Sequence, residues 1–334
     1  MYYGLQVARG IAALLVLFHH ISLGSDVFYG TQSFSGFFEF GSIGVDFFFV
    51  LSGFIIYWVH SDDNQSLKNG MTYFKKRMIR IYPPFILVSV VLLIAYNLFP
   101  TLSNGDRNIG VITSLFLIPT PPLDPALSVS WTLMHEMLFY IIFLCLYIRK
   151  KLFFGFLMFW SLSILLISFT SIQGIIKTFF LNPHNLEFIL GVMSAIIIKR
   201  QKGEVLHLVI GLLMFCLYVY FYRIGLIESY NLLPQKIYLG VCFMLIVTGL
   251  CKVDHKIKYP NFLLLLGSAS YSIYLIHNPI ISILNRIAQK LLTIVKINQD
   301  VVFIIVAMFS LIFGLVYYFI WEKPLLKFFK KKFI

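Results

Sequence analysis

The sequence predicts an all-α protein, a polytopic bundle of about ten transmembrane helices. Of its 334 residues, 59% are hydrophobic and only 12% are charged, whereas about a quarter of the residues of a soluble domain are charged. The mean hydropathy is +0.87. Apolar stretches of about twenty residues, the length that crosses a hydrocarbon core, recur along the whole chain.

The ten predicted spans follow one another with short connections, and the first begins almost at the N-terminus. No basic segment precedes it, so it is predicted to remain in the protein rather than to be cleaved as a signal peptide. The spans lie near residues 4–23, 40–60, 82–99, 130–148, 152–170, 181–198, 205–222, 235–251, 261–283 and 300–320. Within the polar stretch 100–129, an apolar run predicts a re-entrant or interfacial segment. We expect one membrane-embedded domain over residues 1–334, with no fused soluble domain.

Basic residues are distributed unequally between the two sets of loops. Nineteen of the 27 lysines and arginines fall in five loops or tails on one side, and seven fall in the alternate loops. Because lysine and arginine accumulate on the cytoplasmic side, both termini are predicted to be cytoplasmic. The net charge of +13 arises mainly from these loops. It therefore indicates a lipid bilayer as the partner and not nucleic acid.

The cysteines indicate no cysteine-based chemistry. All four lie within or at the ends of apolar spans, and none pairs as CxxC: Cys145, Cys216, Cys242 and Cys251. This usage points to neither a disulfide framework nor a zinc site, and we predict no metal.

Arg9 and His20 are the most informative pair, because both are ionisable and both lie in the first span. Eleven helical steps of about 100° return to within about 20° of the starting face, about 16 Å further along. Both side chains therefore face one lane of the helix, whereas His19 points about 80° away. Ionisable groups inside a membrane predict a functional site. The alternative is that Arg9 extends to the interface and His20 hydrogen-bonds a neighbouring helix.

Three further groups of polar residues lie within or at the ends of the spans. Asp46 stands alone among phenylalanines and is expected either to pair with Arg9 or to orient a histidine; an interhelical ion pair without a chemical role is the alternative. Near the outer end of the fourth span, Ser130, Trp131 and Glu136 predict a polar rim for a sugar, and the alternative is an interfacial aromatic belt. In the ninth span, the hydroxyls and imidazole of the segment 266–279 are also explained by hydrogen bonds between helices.

A basic cluster precedes the third span at the predicted cytoplasmic boundary. It consists of Lys75, Lys76, Arg77 and Arg80, just before a helix expected to begin at Pro83. Charge-assisted hydrogen bonds from such side chains suit a ligand that carries phosphate groups. Taken alone, the cluster is also explained as charge that sets the membrane topology.

Together these segments resemble the acyltransferase family 3 of bacterial integral-membrane O-acyltransferases. The resemblance runs nearly end to end, with five motifs in the family's order and spacing. They are Arg9 to Ala13 with His20, Gly44 to Gly53, Arg77 to Pro83, Ser130-Trp131 with Glu136 and Tyr140, and Ser270 to His277, closing with Glu322 and Pro324. The family pattern of a basic residue, ten intervening residues and a histidine also selects His20. His135 departs from the acidic residue often found before the family glutamate.

The resemblance implies transfer of an acyl group, most often acetyl from acetyl-CoA, to a hydroxyl of a bacterial surface glycan at the inner membrane. O-antigen is the expected acceptor; capsule, exopolysaccharide and periplasmic glucan are alternatives. We expect catalytic roles for His20, Arg9, Asp46 and Glu136, and donor binding by Arg77, Arg80, Lys75 and Lys76. We expect acceptor binding by Trp131, Ser130, Tyr271 and His277.

On this hypothesis, acetyl-CoA approaches from the cytoplasm and its pantetheine arm passes Arg9. His20 acts as the general base on the sugar hydroxyl or carries the acetyl group as a covalent intermediate. A transporter or flippase of a lipid-linked sugar is a rival, since it would also place ionisable groups inside the membrane. A scaffold in a glycan-assembly complex is a second rival, and it would tolerate the loss of Arg9 and His20.

Overall fold

Thirteen α-helices make up most of the part of the chain that the structure describes. The computed structural model describes residues 2–103, 107–227, 232–295 and 297–333. The helices are α1 (Tyr3–Tyr29), α2 (Gly44–His60), α3 (Leu67–Leu98), α4 (Val111–Phe116), α5 (Ser130–Phe143), α6 (Cys145–Ile148), α7 (Lys150–Ile167), α8 (His184–Lys199), α9 (Val205–Arg223), α10 (Leu233–Val253), α11 (Asn261–Leu292), α12 (Gln299–Tyr317) and α13 (Lys323–Phe333). A π-helical segment, Tyr318–Glu322, joins α12 to α13.

The predicted fold class is confirmed. Nine helical segments of the described chain are long and apolar enough to cross a membrane, and they coincide with nine of the ten predicted spans. The remaining span, 261–283, lies within α11. This helix is long enough at 32 residues, but its serines, tyrosines, His277 and Asn278 lower its hydropathy. These polar residues mark α11 as a helix that packs inside the bundle.

Close helix pairs are formed where glycine permits direct backbone contact. A Cβ atom at Gly53 on α2 would collide with the carbonyl oxygen of Phe188 on α8, and one at Gly191 on α8 would collide with that of Val50. Helix α1 approaches α11 in the same way through Gly267. Small residues at such crossings are the usual means of close packing between membrane helices. These two pairs form the frame in which the site is built.

Side-chain contacts sort the loops into two sets at opposite ends of the bundle. At one end, the contacts are the Tyr3 and Gly4 amides with Asp254, Lys199 with Asp62, and the Tyr147 hydroxyl with Asp63. At the other end, the contacts are Phe34 with Asp300, Tyr29 with Asn285, and Arg223 with Ser35. The first set contains loops predicted to be cytoplasmic, and the second contains loops predicted to be external. Which end faces the cytoplasm stays a prediction.

Asp63 fastens the α2–α3 loop to the rest of its end of the bundle. Burial raises the pKa of Asp63, but hydrogen bonds from the Tyr147 hydroxyl and the His60 ring outweigh that effect, so the pKa lies below its ordinary value. Charge-assisted bonds of this kind keep the carboxylate ionised at neutral pH.

The polar stretch between α3 and α5 is folded onto the bundle. Its apolar run forms the short helix α4, and the Tyr82 hydroxyl of α3 donates a hydrogen bond of 2.7 Å to the Phe116 carbonyl. Ser114 is fully buried and accepts a hydrogen bond from the Ala126 amide. The predicted apolar segment is therefore the short helix α4, which hydrogen bonds of Tyr82 and Ser114 hold in place. Lys296, one of the seven basic residues predicted to be external, lies outside the described residues.

Candidate active site

A cavity of about 760 Å³ opens at the end of the bundle that is predicted to be cytoplasmic. Gln6 at the start of α1 and Lys330 near the end of α13 both line it, so both ends of the chain border the same cavity. Its charged lining residues are Arg9, Arg77, Arg80, Lys323, Lys327, Lys330, Glu136 and Glu322. Six basic side chains face two acidic ones, which makes the cavity suited to a polyanion.

Arg77 lies at the wall of the cavity between two tyrosine rings. Its guanidinium carbon is 5.8 Å from the ring centre of Tyr73 and 5.8 Å from that of Tyr140. Its Nε atom is buried and has no hydrogen-bond partner. A buried donor without a partner costs free energy unless a ligand accepts from it. This atom is therefore a donor that an acceptor group in the cavity can satisfy.

Arg80 is held by an acid that the sequence analysis did not assign to the site. Its Nη1 atom lies 3.1 Å from Oε1 of Glu322, whose side chain is fully buried. The other oxygen, Oε2, accepts a hydrogen bond of 2.5 Å from Ser272. The guanidinium carbon of Arg80 stands 5.6 Å from the ring centre of Tyr271. The π-helical segment before α13 is what turns Glu322 inward, and such segments occur frequently at functional sites.

Glu136 lies in this cavity and not in an external rim. Its Oε1 atom accepts hydrogen bonds of 2.7 Å from Ser52 and 2.6 Å from Tyr140. It is also close enough to Arg9 for the two charges to interact. The expectation that Glu136 forms part of an external rim is therefore wrong, because α5 directs this side chain toward the arginines.

His20 faces His277 across the contact between α1 and α11. Their ring centres are 4.9 Å apart, and Nε2 of His277 lies 3.3 Å from Nδ1 of His20. Nδ1 of each ring also lies close to a backbone carbonyl, Val16 for His20 and Tyr274 for His277. A nitrogen that bonds a carbonyl must carry the proton, so both neutral rings are protonated on Nδ1. This assignment leaves Nε2 of His20 with a free lone pair for accepting a proton.

The adjacent histidine is used differently. Nδ1 of His19 lies 2.6 Å from the backbone carbonyl of Glu39 in the segment before α2, and the ring is buried. This contact fastens α1 to that segment. His20 and His19 therefore point to different neighbours, as their positions on the helix predict, and His20 points toward α11.

Two cavities lie on either side of the histidine pair along α11, and neither His20 nor His277 is among their lining residues. Tyr274 and Thr132 line the large cavity, and the Tyr274 ring centre is 5.6 Å from that of His277. Asn278 lines a second, small cavity of about 90 Å³ together with Ser128 and Arg107. From Tyr274 to Asn278 is one turn of α11, about 6 Å along the helix axis. His277 lies within that turn, between the residues of α11 that line the two cavities.

A model of the acyltransferase domain family matches residues 2–332. The chain belongs to this acyltransferase family. The resemblance derived from the five motifs is thereby confirmed, and the family match extends across every helix of the bundle. Together with the nine membrane-spanning candidates, it makes the protein a multi-pass membrane acyltransferase.

Three curated proteins are similar to this acyltransferase, and the name of one refers to exopolysaccharide production. The exopolysaccharide production protein ExoZ of Rhizobium meliloti is 29% identical over 325 residues, which cover 90% of this chain and 94% of that protein. The acyltransferase MdmB of Streptomyces mycarofaciens is 31% identical over 112 residues, covering 31% of this chain and 27% of that protein. Protein 2 in the picA locus of Rhizobium radiobacter is 27% identical over 39% of this chain and 73% of its own length. No solved structure matches the chain.

In the acyltransferase, Asp46 contacts neither Arg9 nor His20. Its Oδ1 atom lies 2.5 Å from the ammonium group of Lys236 and 3.8 Å from Nδ1 of His184. Lys236 is one of the seven basic residues that were predicted to lie in external loops. In the structure it is buried in the first turn of α10. The expected pairing of Asp46 with Arg9 is therefore wrong, and the histidine beside Asp46 is His184 on α8 and not His20.

Asp46, His184 and Glu187 are a fully buried group whose donor atoms are of the types that bind metal ions, and these atoms lie within 4.8 Å of one another. One oxygen of each carboxylate, Oδ2 of Asp46 and Oε1 of Glu187, has no hydrogen-bond partner. The ammonium group of Lys236 already supplies a cation to this group. Asp46 and Glu187 stand in the first turns of α2 and α8, where the helix dipole favours anions. The geometry therefore fits an ion pair that joins α2, α8 and α10.

The remaining predicted acceptor residues are not brought together. Ser130 is fully buried and donates to the Leu127 carbonyl, while Trp131 packs against His184 with ring centres 5.3 Å apart. The predicted sugar-docking rim is therefore wrong. Tyr271 instead lines the large cavity, and its hydroxyl donates to the Ile81 carbonyl.

Lys75 and Lys76 lie apart from Arg77 and Arg80, the other two predicted donor-binding residues. Both side chains are exposed, and neither lines the large cavity. On the helix α3, Arg77 and Arg80 are the two members of the basic cluster that turn inward. The structure therefore brings together Arg9, Arg77, Arg80 and Glu136, and separately His20 and His277.

Proposed function

We propose that this protein transfers an acetyl group from cytoplasmic acetyl-CoA to a sugar hydroxyl of a bacterial surface polysaccharide, at the inner membrane. The cavity lined by Arg9, Arg77 and Arg80 takes the donor, and the His20–His277 pair at its inner end performs the transfer. O-antigen is the acceptor expected from the sequence, and the name of ExoZ adds exopolysaccharide as a candidate.

The observation that carries the proposal is a basic cavity that ends beside a histidine pair. Coenzyme A has phosphate groups at one end and a thioester at the end of a flexible arm. The arginines at the wall suit the phosphates, and Tyr271, Tyr274 and Phe48 give the arm a largely apolar path inward. The spacing of about 16 Å from Arg9 to His20 along α1 is comparable with the reach of that arm.

The histidine pair supports acid–base chemistry at the thioester. His20 takes the hydroxyl proton on Nε2 while the sugar oxygen forms a bond to the carbonyl carbon. The carbon–sulfur bond then breaks, and the coenzyme thiolate recovers a proton from His20 to leave as the thiol. The Nε2 atom of His277 accepts a hydrogen bond from the Nδ1 proton of His20 and so orients the His20 ring.

Transfer through an acetyl-histidine is the second route. There, Nε2 of His20 attacks the thioester carbon, the carbon–sulfur bond breaks, and the thiolate takes up the proton that the ring loses from Nδ1. The sugar oxygen then attacks the acetyl carbon, the carbon–nitrogen bond breaks, and the hydroxyl proton returns to the ring. The small cavity at Asn278 and Ser128 supports entry of the acceptor from the opposite end. Trapping of a labelled acetyl group on the protein in the absence of glycan distinguishes this route from direct attack.

The deciding experiment compares His20→Ala with His19→Ala in membranes that contain the acceptor glycan and radiolabelled acetyl-CoA. We expect the first variant to lose transfer completely and the second to keep much of it, at equal protein levels. Mass spectrometry of the glycan, with and without the gene, should show the acetyl increment in O-antigen or in exopolysaccharide. Equal loss in both variants would refute the assignment of His20.

The rival function, a flippase of a lipid-linked sugar, makes a different prediction. It requires no acetyl-CoA, and it leaves the mass of the glycan unchanged. Reconstituted vesicles that translocate the sugar lipid without acetyl-CoA would favour the flippase. Acetylation that depends on acetyl-CoA and on His20 would favour the transferase.

A further inference from the structure

The C-terminal helix α13 presents a stripe of lysines to the donor cavity. Lys323, Lys327 and Lys330 are spaced by four and three residues, so they lie within about 60° of one another on the helix. All three line the large cavity. The next residue, Lys331, is also exposed but lies outside the lining. Only one face of this basic helix therefore borders the cavity.

The three lysines form a second basic group in the cavity, here called the outer tier, in addition to the group of Arg9, Arg77 and Arg80. Arg80 is neutralised by Glu322, and Arg9 is partly offset by Glu136. Among the described residues, neither Lys327 nor Lys330 forms a salt bridge with an acidic side chain. Two uncompensated ammonium groups on one side of a cavity repel each other, and an anion between them relieves that repulsion. The outer tier is thus suited to an anionic group that enters with the donor.

We propose that Lys327 and Lys330, with Lys323 beside them, bind the 3′-phosphate on the ribose of the acetyl-CoA donor, while Arg77 and Arg80 bind its diphosphate. This inference rests on the proposed function. The diphosphate is attached directly to the pantetheine arm, so it reaches the arginines nearer the histidine pair. The ribose phosphate is farther from the thioester, and it meets the part of the cavity bordered by α13.

The same lysines would also suit the phosphate of an anionic lipid, because α13 follows the last predicted span and carries phenylalanines beside its lysines. The two sources of phosphate differ in what they depend on. A lipid effect disappears in vesicles of phosphatidylcholine alone. A donor effect persists there and disappears with a donor that lacks the 3′-phosphate.

The test compares acetyl-CoA with acetyl-3′-dephospho-CoA in phosphatidylcholine vesicles. The wild type should prefer acetyl-CoA by about ten-fold or more in kcat/KM, as expected for charge-assisted phosphate contacts. In Lys327→Ala/Lys330→Ala, that preference should fall to near one, mainly through a raised KM for acetyl-CoA. Lys331→Ala is the matched control and should keep the wild-type preference. All three lysines are exposed, so these substitutions leave the packed core intact.

Three outcomes would overturn the inference. They are a wild type that uses both donors equally, a double variant that loses both donors in proportion, and an effect that appears only when anionic lipid is present. Binding of CoA and 3′-dephospho-CoA to the wild type and the double variant separates this inference from the reaction. Lysine-dependent preference for CoA in binding, without any acetyl transfer by the wild type, would refute the proposed function and support the phosphate site.

Discussion

At the scale of single residues, Glu322 is the side chain on which the donor cavity most depends. Its two oxygens have separate partners, Arg80 and Ser272, and it is fully buried. Replacing it by glutamine substitutes an amide donor for one acceptor and removes the charge opposite Arg80. Buried polar groups that lose a partner cost about 1–3 kcal/mol.

We therefore expect Glu322→Gln to lower the thermal stability of the purified protein and to raise the KM for acetyl-CoA at least several-fold. Melting curves in detergent and donor titrations measure the two effects. Asp124→Asn is the control, since Asp124 is exposed and its side chain makes no hydrogen bond in the described structure. A variant with unchanged donor KM would show that Arg80 needs no support from Glu322.

The sequence predicted which way His20 and His19 point, but it did not reveal the partners of Asp46. His20 could be selected over His19 because helical periodicity alone fixes the face on which each side chain lies. Asp46 and Lys236 are 190 residues apart, and no local pattern indicates which buried charges pair. The available signal was the pattern His184-x-x-Glu187 at a helix start, together with one lysine in an apolar span. Buried charges of opposite sign must find one another, and that rule alone would have suggested the group.

At the scale of helices, the ion pair of Asp46 and Lys236 joins α2 to α10 inside the membrane. Both side chains are about 1% exposed. Removing one partner of a buried pair leaves an uncompensated charge and typically costs 3–5 kcal/mol. We expect Lys236→Met to lower the thermal stability strongly, and Lys236→Met/Asp46→Asn to recover part of the loss. Lys252→Met, an exposed position on the same helix, is the control. If Lys236→Met and Lys252→Met were equally stable, the pair would have no role in joining the helices.

The contact between α2 and α8 depends on the absence of a side chain. A methyl group at Gly191 would meet the Val50 carbonyl, so Gly191→Ala must push the helices apart. We expect lower expression and a lower melting temperature. Gly155→Ala in α7 meets nothing within 4 Å and should be neutral or stabilising by up to about 1 kcal/mol, because alanine favours the helix. If both substitutions behave alike, the close approach at Gly191 is not needed for stability.

The sequence predicted the positions of the helices along the chain better than the rotation of each helix about its own axis. Apolar length located the spans, since each must satisfy its backbone hydrogen bonds inside the bilayer. The sequence does not predict the direction of Glu136, because a position near the outer end of a span does not show toward which helices a side chain points. Its helix starts at Ser130, and Glu136 lies nearly two turns inside, among residues of α1, α2 and α3. Rotation of a helix about its axis depends on its neighbours, which one sequence does not reveal.

For the whole molecule, the testable prediction is its orientation in the membrane. After replacement of the four native cysteines, Gln65→Cys and Gln201→Cys should react with an impermeant maleimide only from the cytoplasmic side. Gln32→Cys should react only from outside. All three positions are exposed, and the contacts between loops place the first two at one end of the bundle. Labelling of Gln32→Cys from the cytoplasm would reverse the bundle and place the donor cavity on the wrong side.

The single turn of α11 between the two cavities also has an electrical consequence. A transmembrane voltage falls mainly across the part of a protein that water does not fill, and here that part includes the turn of α11 that holds His277. Moving one charge through the full voltage changes its energy by about 2.3 kcal/mol per 100 mV. If the hydroxyl proton of an external sugar travels through the histidines to the thiolate, the transfer rate should respond to voltage by up to about fifty-fold per 100 mV. Proteoliposomes clamped with potassium gradients and valinomycin measure this response, and a rate independent of voltage would show that the proton leaves on the side where it was released.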